Sequence, residues 1–416
     1  MAKEQYIVGL DIGTQNIRVV QAKVDPNAPS TSIIGASLVP AGGIRKGVIV
    51  DIEEAVSSIS TALERVERMT GIPVTRASVS VGGNHIQCID SRGVIAVSRA
   101  DGEITENDII RVIDASQAIS IPANREVIHV IPKTFTLDGQ TGIKDPLGMT
   151  GIRLEVETII IHGGLPFMKN LTKAILQAGL EIDAQVLAPL ACSLAVLNKR
   201  QKDLGVVLVD LGAGTTSVSV YEEGNVIHAA IVPVGSMHIT NDIAIGLRCS
   251  IETAEKVKMM FGHADPKSVD RHEEIDLSQI DPEEQERASR HEVVQIIEAR
   301  LEEIFDYVNK ELKKIGRDGK LPAGCVLTGG GSKLGGVLEF AKHTLRLPAQ
   351  MGQTQNIETI IDRVEDPSFS TACGLVLWGS RYTTPFSDSS FGGSMKKITQ
   401  SEFITKIKKT FKSFLP

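Results

Sequence analysis

Two short stretches of this chain place an aspartate directly after an apolar segment and follow it with glycine and threonine. They are IVGLDIGTQNIRVV (7–20), which contains Asp11, and VVLVDLGAGTTSVSV (206–220), which contains Asp210. Glycine allows a tight turn between two strands, and the amides and hydroxyls of such a turn can surround phosphate oxygens. Each stretch taken singly also fits an ordinary hairpin. As a pair, they predict two loops that face each other and clamp one polyphosphate.

A third glycine cluster lies far down the chain, at residues 326–336 (VLTGGGSKLGG). It follows an apolar strand and precedes a helix-like run, an order that suits phosphate or sugar groups near a helix N-terminus. The cluster lacks the GxxxxGK[ST] spacing of a Walker loop, and it is a poor match to GxGxxG. We therefore expect it to bind phosphate or sugar groups.

In this order, the three stretches resemble the first phosphate, second phosphate and adenosine motifs of the actin, Hsp70 and sugar-kinase superfamily. Residues 233–244 (PVGSMHITNDIA), the region 83–163 and the C-terminal tail make the chain similar to the FtsA family of bacterial cell-division proteins over nearly its whole length. The resemblance implies an α/β, actin-like two-lobed ATPase fold of duplicated ribonuclease-H-like domains, with an inserted β-α-β-β subdomain.

The same resemblance implies ATP and Mg²⁺ as ligands, with the ion held through water by Asp11 and Asp210. The nucleotide-binding residues that it implies are Asp11, Gly13, Thr14, Gln15, Arg18, Asp210, Gly212, Ala213, Gly214, Thr215, Thr216, Glu255, Lys258, Gly329, Gly330, Gly331 and Ser332. Two alternatives remain open. Glu255 and Lys258 also fit a surface ion pair three residues apart on a helix, and Arg18 also fits a solvent-facing strand arginine.

The chain departs from its ATP-hydrolysing relatives where a helix begins after residue 187. Actins, MreB and Hsp70 proteins usually carry a Gln or Glu there that orients the attacking water, whereas this chain has Ala188. A methyl group can neither accept a proton nor hold a water molecule. We assign no catalytic residue and expect ATP binding with weak or no hydrolysis. A second departure is Ser236, which replaces a glycine that many relatives have.

Hydrophobic periodicity and the resemblance together divide the chain into parts that position these loops. The first half comprises residues 1–82 and 163–199, with 375–381 packed on it, and the inserted subdomain comprises 83–162. The second half comprises 200–240 and 322–374, and the smaller lobe comprises 241–321. An amphipathic helix over 51–70, a capping-box helix starting at Thr105 and a long helix over 291–315 are the clearest elements.

Composition narrows the possible partners. The chain of 416 residues has a net charge of −7, and such an acidic body argues against nucleic acid as a partner. Its five cysteines are scattered, which is typical of core residues in a reducing compartment. No signal peptide is expected, and no stretch of about 18 uncharged apolar residues predicts a membrane span.

The C-terminal tail has the opposite charge. Residues 382–397 predict a flexible linker, and residues 398–416 predict an amphipathic helix with basic residues on one side. Such a helix binds an anionic bilayer interface better than it packs on its own protein. The residues expected to contact the membrane are Phe403, Ile404, Ile407, Lys408, Phe411, Lys412, Phe414 and Leu415.

By resemblance, the chain is expected to be an ATP-binding, polymerising division protein that tethers the FtsZ ring to the membrane. Its expected partners are the C-terminal peptide of FtsZ on the smaller lobe, further copies of itself, anionic lipids, and later division proteins through the inserted subdomain. The expected location is the cytoplasmic face of the inner membrane, peripherally bound at the division site. Two alternatives of the same fold remain, a pilus-assembly protein like PilM and a sugar or acetate kinase.

Overall fold

A computed structural model describes residues 5–24, 31–119, 121–284, 286–355, 357–359 and 361–382. The predicted membrane-binding residues and the predicted tail helix therefore lie outside the described residues, as does the predicted linker after residue 382. In the described part of the chain, no helix is long and apolar enough to cross a membrane.

The chain begins with a meander of strands that leads into one long helix. Asp51 starts that helix because its side chain accepts a hydrogen bond from the Glu54 amide, and Gly71, at φ 71°, ends it. Its buried face covers the sheet, as the apolar spacing predicted. The elements are β1 (Gln5–Ile12), β2 (Asn16–Val24), β3 (Thr31–Pro40), β4 (Ile44–Arg45), β5 (Val48–Ile49), α1 (Ile52–Thr70) and β6 (Arg76–Val81).

A separate antiparallel sheet with one helix follows, in strand order β7-β10-β8-β9. Thr105 and Asp108 form the predicted capping box at the start of its helix. The structure adds one strand to the predicted β-α-β-β order, because Asp138 and Gly139, both at positive φ, make a two-residue hairpin turn. The elements are β7 (Gln87–Ala96), α2 (Glu106–Ser116), β8 (Arg125–Leu137), β9 (Gln140–Ile143) and β10 (Arg153–Gly164).

The chain then returns to the first sheet and completes it. The sheet has the order β11-β6-β1-β2-β3-β19, in which β19 (Glu358–Thr359) comes from much later in the chain. Strand β11 is parallel to β6, and β6 is parallel to β1. The returning elements are α3 (Leu165–Gln177), β11 (Glu181–Leu187), α4 (Ala188–Val196) and α5 (Lys199–Leu204). Helix α4 is buried nearly all round, as its wholly apolar sequence predicted.

The second half repeats the layout of the first. Strands β12, β13 and β14 form an antiparallel meander, and β17 lies parallel to β12 as β6 does to β1. The elements up to the long helix are β12 (Val206–Leu211), β13 (Thr216–Glu222), β14 (Asn225–Val232), α6 (Ser236–Leu247), α7 (Ile251–Phe261), β15 (Glu274–Asp276), β16 (Arg287–Ser289) and α8 (Arg290–Lys314). The remaining elements are β17 (Cys325–Thr328), α9 (Val337–Leu345), β18 (Ala349–Met351), β19 (Glu358–Thr359) and α10 (Ser370–Tyr382).

Helices α4 and α10 cross between the two sheets, and their closest approach depends on a glycine. A Cβ built on Gly374 would lie only 1.8 Å from the carbonyl oxygen of Ala191. One buried apolar cluster contains residues of both helices, of the inserted subdomain and of strands β12 to β14. This crossing therefore joins the two halves at the base of the space between them.

Candidate functional site

The two predicted phosphate loops have the same backbone geometry. The Gly13 amide donates to the Asn16 carbonyl at 3.2 Å, and the Gly212 amide donates to the Thr215 carbonyl at 3.1 Å. A Cβ on Gly13 would lie 2.7 Å from the Asn16 carbonyl oxygen, and a Cβ on Gly212 would lie 2.8 Å from the Thr215 carbonyl oxygen. Both turns thus need glycine for the same steric reason, and the repeat seen in the sequence is a repeat in three dimensions.

Both loops open onto one cavity of about 380 Å³. It lies between the first half and the second, with the third glycine cluster on its wall. The predicted nucleotide-binding residues that line it are Asp11, Gly13, Thr14, Gln15, Arg18, Asp210, Gly212, Ala213, Gly214, Thr215, Glu255, Lys258, Gly329, Gly330 and Gly331. Residues more than 300 positions apart in the sequence are thereby brought to a single space.

Two predicted residues lie behind the cavity wall rather than on it. The buried Thr216 hydroxyl donates to the Val234 carbonyl at 2.8 Å. The buried Ser332 hydroxyl donates to the Gly329 carbonyl at 2.7 Å. These hydroxyls hold the loops in shape and are not directed at a ligand. The sequence pattern cannot separate them from their neighbours, because alternate residues of a turn point to opposite sides.

Asp11 and Asp210 form the carboxylate end of the cavity. Burial raises the pKa of Asp11, although Arg18, at 3.8 Å, and a hydrogen bond to Ser80 oppose the rise. Burial, reinforced by the negative charge of Asp11, raises the pKa of Asp210 from 3.8 to about 6. Two carboxylates that resist ionisation when they are buried together create a place where a cation is stabilised.

Arg18 faces the cavity and is not a solvent-exposed strand residue. Its Nε donates to the Ser368 hydroxyl at 3.2 Å, and its guanidinium lies 5.8 Å from the centre of the Phe369 ring. It also approaches Asp11, its cross-strand partner in the hairpin. These contacts tie the first loop to the segment just before α10, which the alternation of the sequence could not predict.

Glu255 and Lys258 form a hydrogen-bonded cluster on the wall of the cavity. The Lys258 Nζ lies 2.6 Å from the Glu255 carboxylate and 2.8 Å from the Thr240 hydroxyl, which itself donates to Glu255. Burial raises the pKa of Glu255, but hydrogen bonds from Lys258, Thr240 and Gln15 outweigh it and lower that pKa overall. Lys258 is only 8% exposed, so the surface ion pair is excluded. Gln15 of the first loop also belongs to this cluster.

The third glycine cluster packs tightly against β12. Gly329 is at φ 86°, and a Cβ there would lie 2.3 Å from Asp210 Oδ1. A Cβ on Gly331 would lie 2.6 Å from the Leu211 side chain. Side chains at these two positions would collide with β12, which explains why the sequence has glycines here.

Helix α6 begins against the second loop. The amides of Ser236 and Met237 donate to the carbonyls of Gly212 and Ala213, both at 2.8 Å. No backbone acceptor in the described part of the chain takes the amides of Ala213, Gly214 or Thr215. The loop therefore turns its carbonyls to the helix and leaves donors for an anion. Ser236 itself forms this contact through its backbone, and Gly235 is the residue with no room for a side chain.

Sequence reasoning missed several polar residues of the cavity. Ser80 accepts a hydrogen bond from the Ile12 amide at 3.0 Å, and Thr371 donates to Asp210 at 3.3 Å. Lys333 and Asp366 form an ion pair at 2.8 Å. Only Ser80 carried a usable signal, since it is the next-to-last residue of the apolar strand β6, which runs parallel to β1. The others reach the cavity through pairings that no local pattern reports.

Ala188 is the first residue of α4 and lines the same cavity. It neighbours the carboxylate end, because Leu187 pairs with Val81 and Val186 pairs with Ser80 between parallel strands. Its methyl group offers no hydrogen bond there. The cavity as a whole is lined by loop amides that no described backbone acceptor takes, by a buried carboxylate pair and by a Lys–Glu cluster. That arrangement fits an anionic ligand accompanied by a metal ion.

Sequence comparisons identify the relatives. The family model for "Cell division protein FtsA" matches residues 207–374, and the model for "SHS2 domain inserted in FTSA" matches residues 83–162. FtsA of Pseudomonas aeruginosa is 35% identical over 390 residues, which are 94% of this chain and 93% of that protein. FtsA of Bacillus subtilis is 39% identical over 381 residues, with 92% of this chain and 85% of that protein covered.

Solved structures with the same fold are more distant in sequence. The PilM–PilN type IV pilus biogenesis complex matches with a TM-score of 0.65 at 16% identity, covering 90% of this chain and 98% of the other. MreB5 of Spiroplasma citri bound to ADP matches with a TM-score of 0.52 at 14% identity, covering 90% and 96%. Together with the inserted domain, these matches confirm the predicted actin-like fold with its insertion.

Proposed function

Because the chain belongs to the FtsA family of cell-division proteins, we propose that it binds ATP in this cavity and anchors a division polymer at the membrane. The observation that supports the proposal most is the meeting of two glycine loops, each closed by the same type of backbone hydrogen bond, with Asp11 and Asp210 in one cavity. A relative of the same fold, MreB5, has been solved with ADP and with AMPPNP. We assign the phosphates to the two loops and the adenosine to the side of Lys258 and Gly330.

The carboxylate pair suits Mg²⁺ bound with the nucleotide. Magnesium ions commonly keep several waters and take one or two carboxylates plus substrate phosphates. Asp11 and Asp210 supply such carboxylates, and their raised pKa values indicate that they lack sufficient positive charge in the protein alone. The ion would supply charge neutralisation for the phosphates, while Arg18 and the loop amides would orient them.

Hydrolysis is proposed to be weak or absent. The α4 residue that faces the carboxylate end is Ala188, which can neither orient a water molecule nor accept its proton. ATP would then act chiefly as a ligand that draws the two halves together about the α4–α10 crossing. Closure of this kind would give the subunit one defined shape, as polymerisation requires.

The C-terminal tail is proposed to hold the protein on the inner face of the cell membrane. Lysines near an anionic surface contribute about 1 kcal/mol each, so one tail binds reversibly. A polymer that carries many tails on one face binds far more firmly, because linked sites raise the effective concentration. We further propose that the smaller lobe (241–321) binds the C-terminal peptide of FtsZ and that the inserted subdomain contacts later division proteins at the division site.

Calorimetric titration of ATP and ADP, each with Mg²⁺, tests the nucleotide proposal. We expect saturable binding by the full chain and at least about tenfold weaker binding by the Asp210→Asn variant, because the variant lacks one carboxylate of the pair. A tenfold loss of affinity corresponds to about 1.4 kcal/mol of binding free energy. The matched control is Asp183→Asn, a carboxylate paired with Arg76 away from the cavity. Equal affinity in all three proteins would refute the assignment of the site.

Sedimentation with anionic liposomes tests the membrane proposal. The full chain and a chain truncated after residue 395 are compared with and without ATP. We expect only the full chain to pellet with lipid. If both proteins stay in solution at low salt with ATP present, the tether is wrong, and the soluble pilus-assembly or kinase alternatives become the better explanation. Binding of a fluorescent FtsZ C-terminal peptide to either protein then tests the partner separately.

A further inference from the structure

His129 of the inserted subdomain makes a hydrogen bond outside its own sheet. Its Nε2 accepts from the Leu187 amide at 3.1 Å, where β11 ends. The ring is only 7% exposed, and burial lowers the pKa of His129 to about 4. The imidazole is therefore neutral at physiological pH, with Nε2 as the acceptor and the proton on Nδ1.

The peptide held by His129 adjoins the cavity. Leu187 is the N-cap of α4, and the next residue, Ala188, lines the cavity wall. Leu187 also pairs with Val81, one residue beyond Ser80, which bonds the first phosphate loop. One peptide bond thus separates the inserted subdomain from the carboxylate end of the cavity.

Trp378 packs on the other side of His129. It belongs to α10, and its ring centre lies 5.7 Å from that of His129 at an angle of 53°. The same helix carries Thr371, whose hydroxyl donates to Asp210. His129 accordingly contacts α10 through Trp378 and the N-cap residue of α4 through the Leu187 amide, and each of these helices also reaches the cavity.

The inserted subdomain also contacts the second half directly. The Lys144 Nζ donates to the Glu223 carbonyl at 2.7 Å, and the Asn225 side-chain amide donates to the Lys133 carbonyl at 3.0 Å. Buried apolar residues of both parts share one cluster, among them Ile131 and Val226. The subdomain therefore contacts the first half through Leu187 and the second half through Glu223 and Asn225. A rotation of one half against the other must displace one of these two sets of contacts relative to the other.

We propose that the inserted subdomain sets the geometry of the carboxylate end of the cavity, with His129 as the positioning residue that holds the Val186–Leu187 peptide, one residue before Ala188. The proposal rests on the proposed nucleotide site and adds a coupling between that site and the surface of the subdomain. By linkage, a partner that displaces the subdomain changes nucleotide affinity by the same factor as the nucleotide changes affinity for the partner.

The test compares His129→Leu, which removes the acceptor, with His129→Gln, whose amide oxygen restores one. The readout is the ratio of ATP to ADP affinity in the full chain, measured by calorimetry with Mg²⁺. We expect His129→Leu to lower this ratio at least about fivefold and His129→Gln to recover most of it. A purely structural histidine would lower the unfolding temperature in both variants and leave the ratio unchanged, which would overturn the proposal.

Trp378, the only tryptophan in the sequence, provides a second readout that needs no change in the core. ATP is expected to alter its fluorescence in the full chain, and Lys144→Ala to reduce that response, because the subdomain then follows the second half less closely. The control is Lys169→Ala, an exposed lysine on α3. ATP binding detected by calorimetry with no Trp378 response refutes this inference alone, whereas an absence of ATP binding refutes the proposed function as well.

Discussion

Thr14 and Gly214 lie against each other across the cavity. A Cβ on Gly214 would stand 2.5 Å from the Thr14 hydroxyl oxygen and 2.9 Å from its methyl carbon. The Thr14 hydroxyl is itself fixed, because it accepts a hydrogen bond from the Gly47 amide at 3.0 Å. The two phosphate loops are thus in van der Waals contact, and the first half meets the second half at this point.

Gly214→Ala is expected to push the loops apart. Overpacking of this kind costs about 1–3 kcal/mol, so we expect a lower free energy of unfolding and weaker binding of ATP. Chemical denaturation and calorimetry measure the two effects. Gly82→Ala is the matched control, because a Cβ there has nothing within 4 Å, and its stability should stay close to that of the parent protein. Equal stability of the two variants would contradict the contact.

Asp210→Asn is expected to stabilise the nucleotide-free protein. The pKa of Asp210 is raised from 3.8 to about 6, so between these values the folded state binds more protons than the unfolded state, and stability falls as pH rises. The neutral amide avoids that loss. In thermal unfolding with EDTA, the gain in stability of the variant over the parent protein should be largest above pH 6 and small near pH 4. The variant is nevertheless expected to bind ATP poorly.

Asp366→Asn is the control, because this substitution is expected to lower the stability of the protein where Asp210→Asn raises it. Burial raises the pKa of Asp366, but hydrogen bonds from Lys333 and Ser368 outweigh it and lower the pKa overall. Its ionised form therefore adds stability above the unfolded-state pKa, and that stability is lost as pH falls through the folded-state value. The variant should be less stable than the parent at neutral pH. A stabilising effect from both substitutions would show that general charge removal, and not the carboxylate pair, is responsible.

Lys258→Met is expected to destabilise the fold by about 1–3 kcal/mol, because it leaves the half-buried Glu255 without its cationic partner. The double variant Glu255→Gln, Lys258→Met should recover part of that loss. ATP affinity separates two roles for the pair. Affinity that stays low in the double variant indicates contact with the nucleotide, whereas full recovery of affinity together with stability indicates a structural ion pair.

Ala188→Gln is expected to raise ATP turnover at least about tenfold, because a side-chain amide at the start of α4 can orient a water molecule at the carboxylate end. Release of phosphate under single-turnover conditions is the measurement. Ala188→Met, of similar size but apolar, is the control and should remain as slow as the parent. Fast turnover by the parent protein would contradict the expected lack of hydrolysis from the outset.

Gly374→Ala is expected to cost about 3 kcal/mol, since its Cβ would lie 1.8 Å from the Ala191 carbonyl and the helices cannot separate without opening the core. Ser380→Ala, on the same helix, should cost less than about 1.5 kcal/mol because it removes only one local hydrogen bond, to Leu377. Thermal unfolding compares the two. A mild effect at Gly374 would mean that the crossing has room to adjust.

Local patterns in the sequence predicted much of this protein. The Asp-x-Gly turns after apolar strands marked both loops around Asp11 and Asp210, and the apolar spacing and capping residues predicted α1 and α2. The three motifs in order predicted the actin-like fold, which the comparisons confirm. These features depend on residues close together in the chain, so their spacing is readable without a structure.

Tertiary structure decided which of those residues meet and what surrounds them. It turned Thr216 and Ser332 away from the cavity, brought Thr371 to Asp210, and joined Lys333 to Asp366. It also placed His129 against the Leu187 amide, one residue before the cavity-lining Ala188. Contacts of this kind depend on how separate elements pack, and packing is settled by the shape and burial of the whole core rather than by any local pattern.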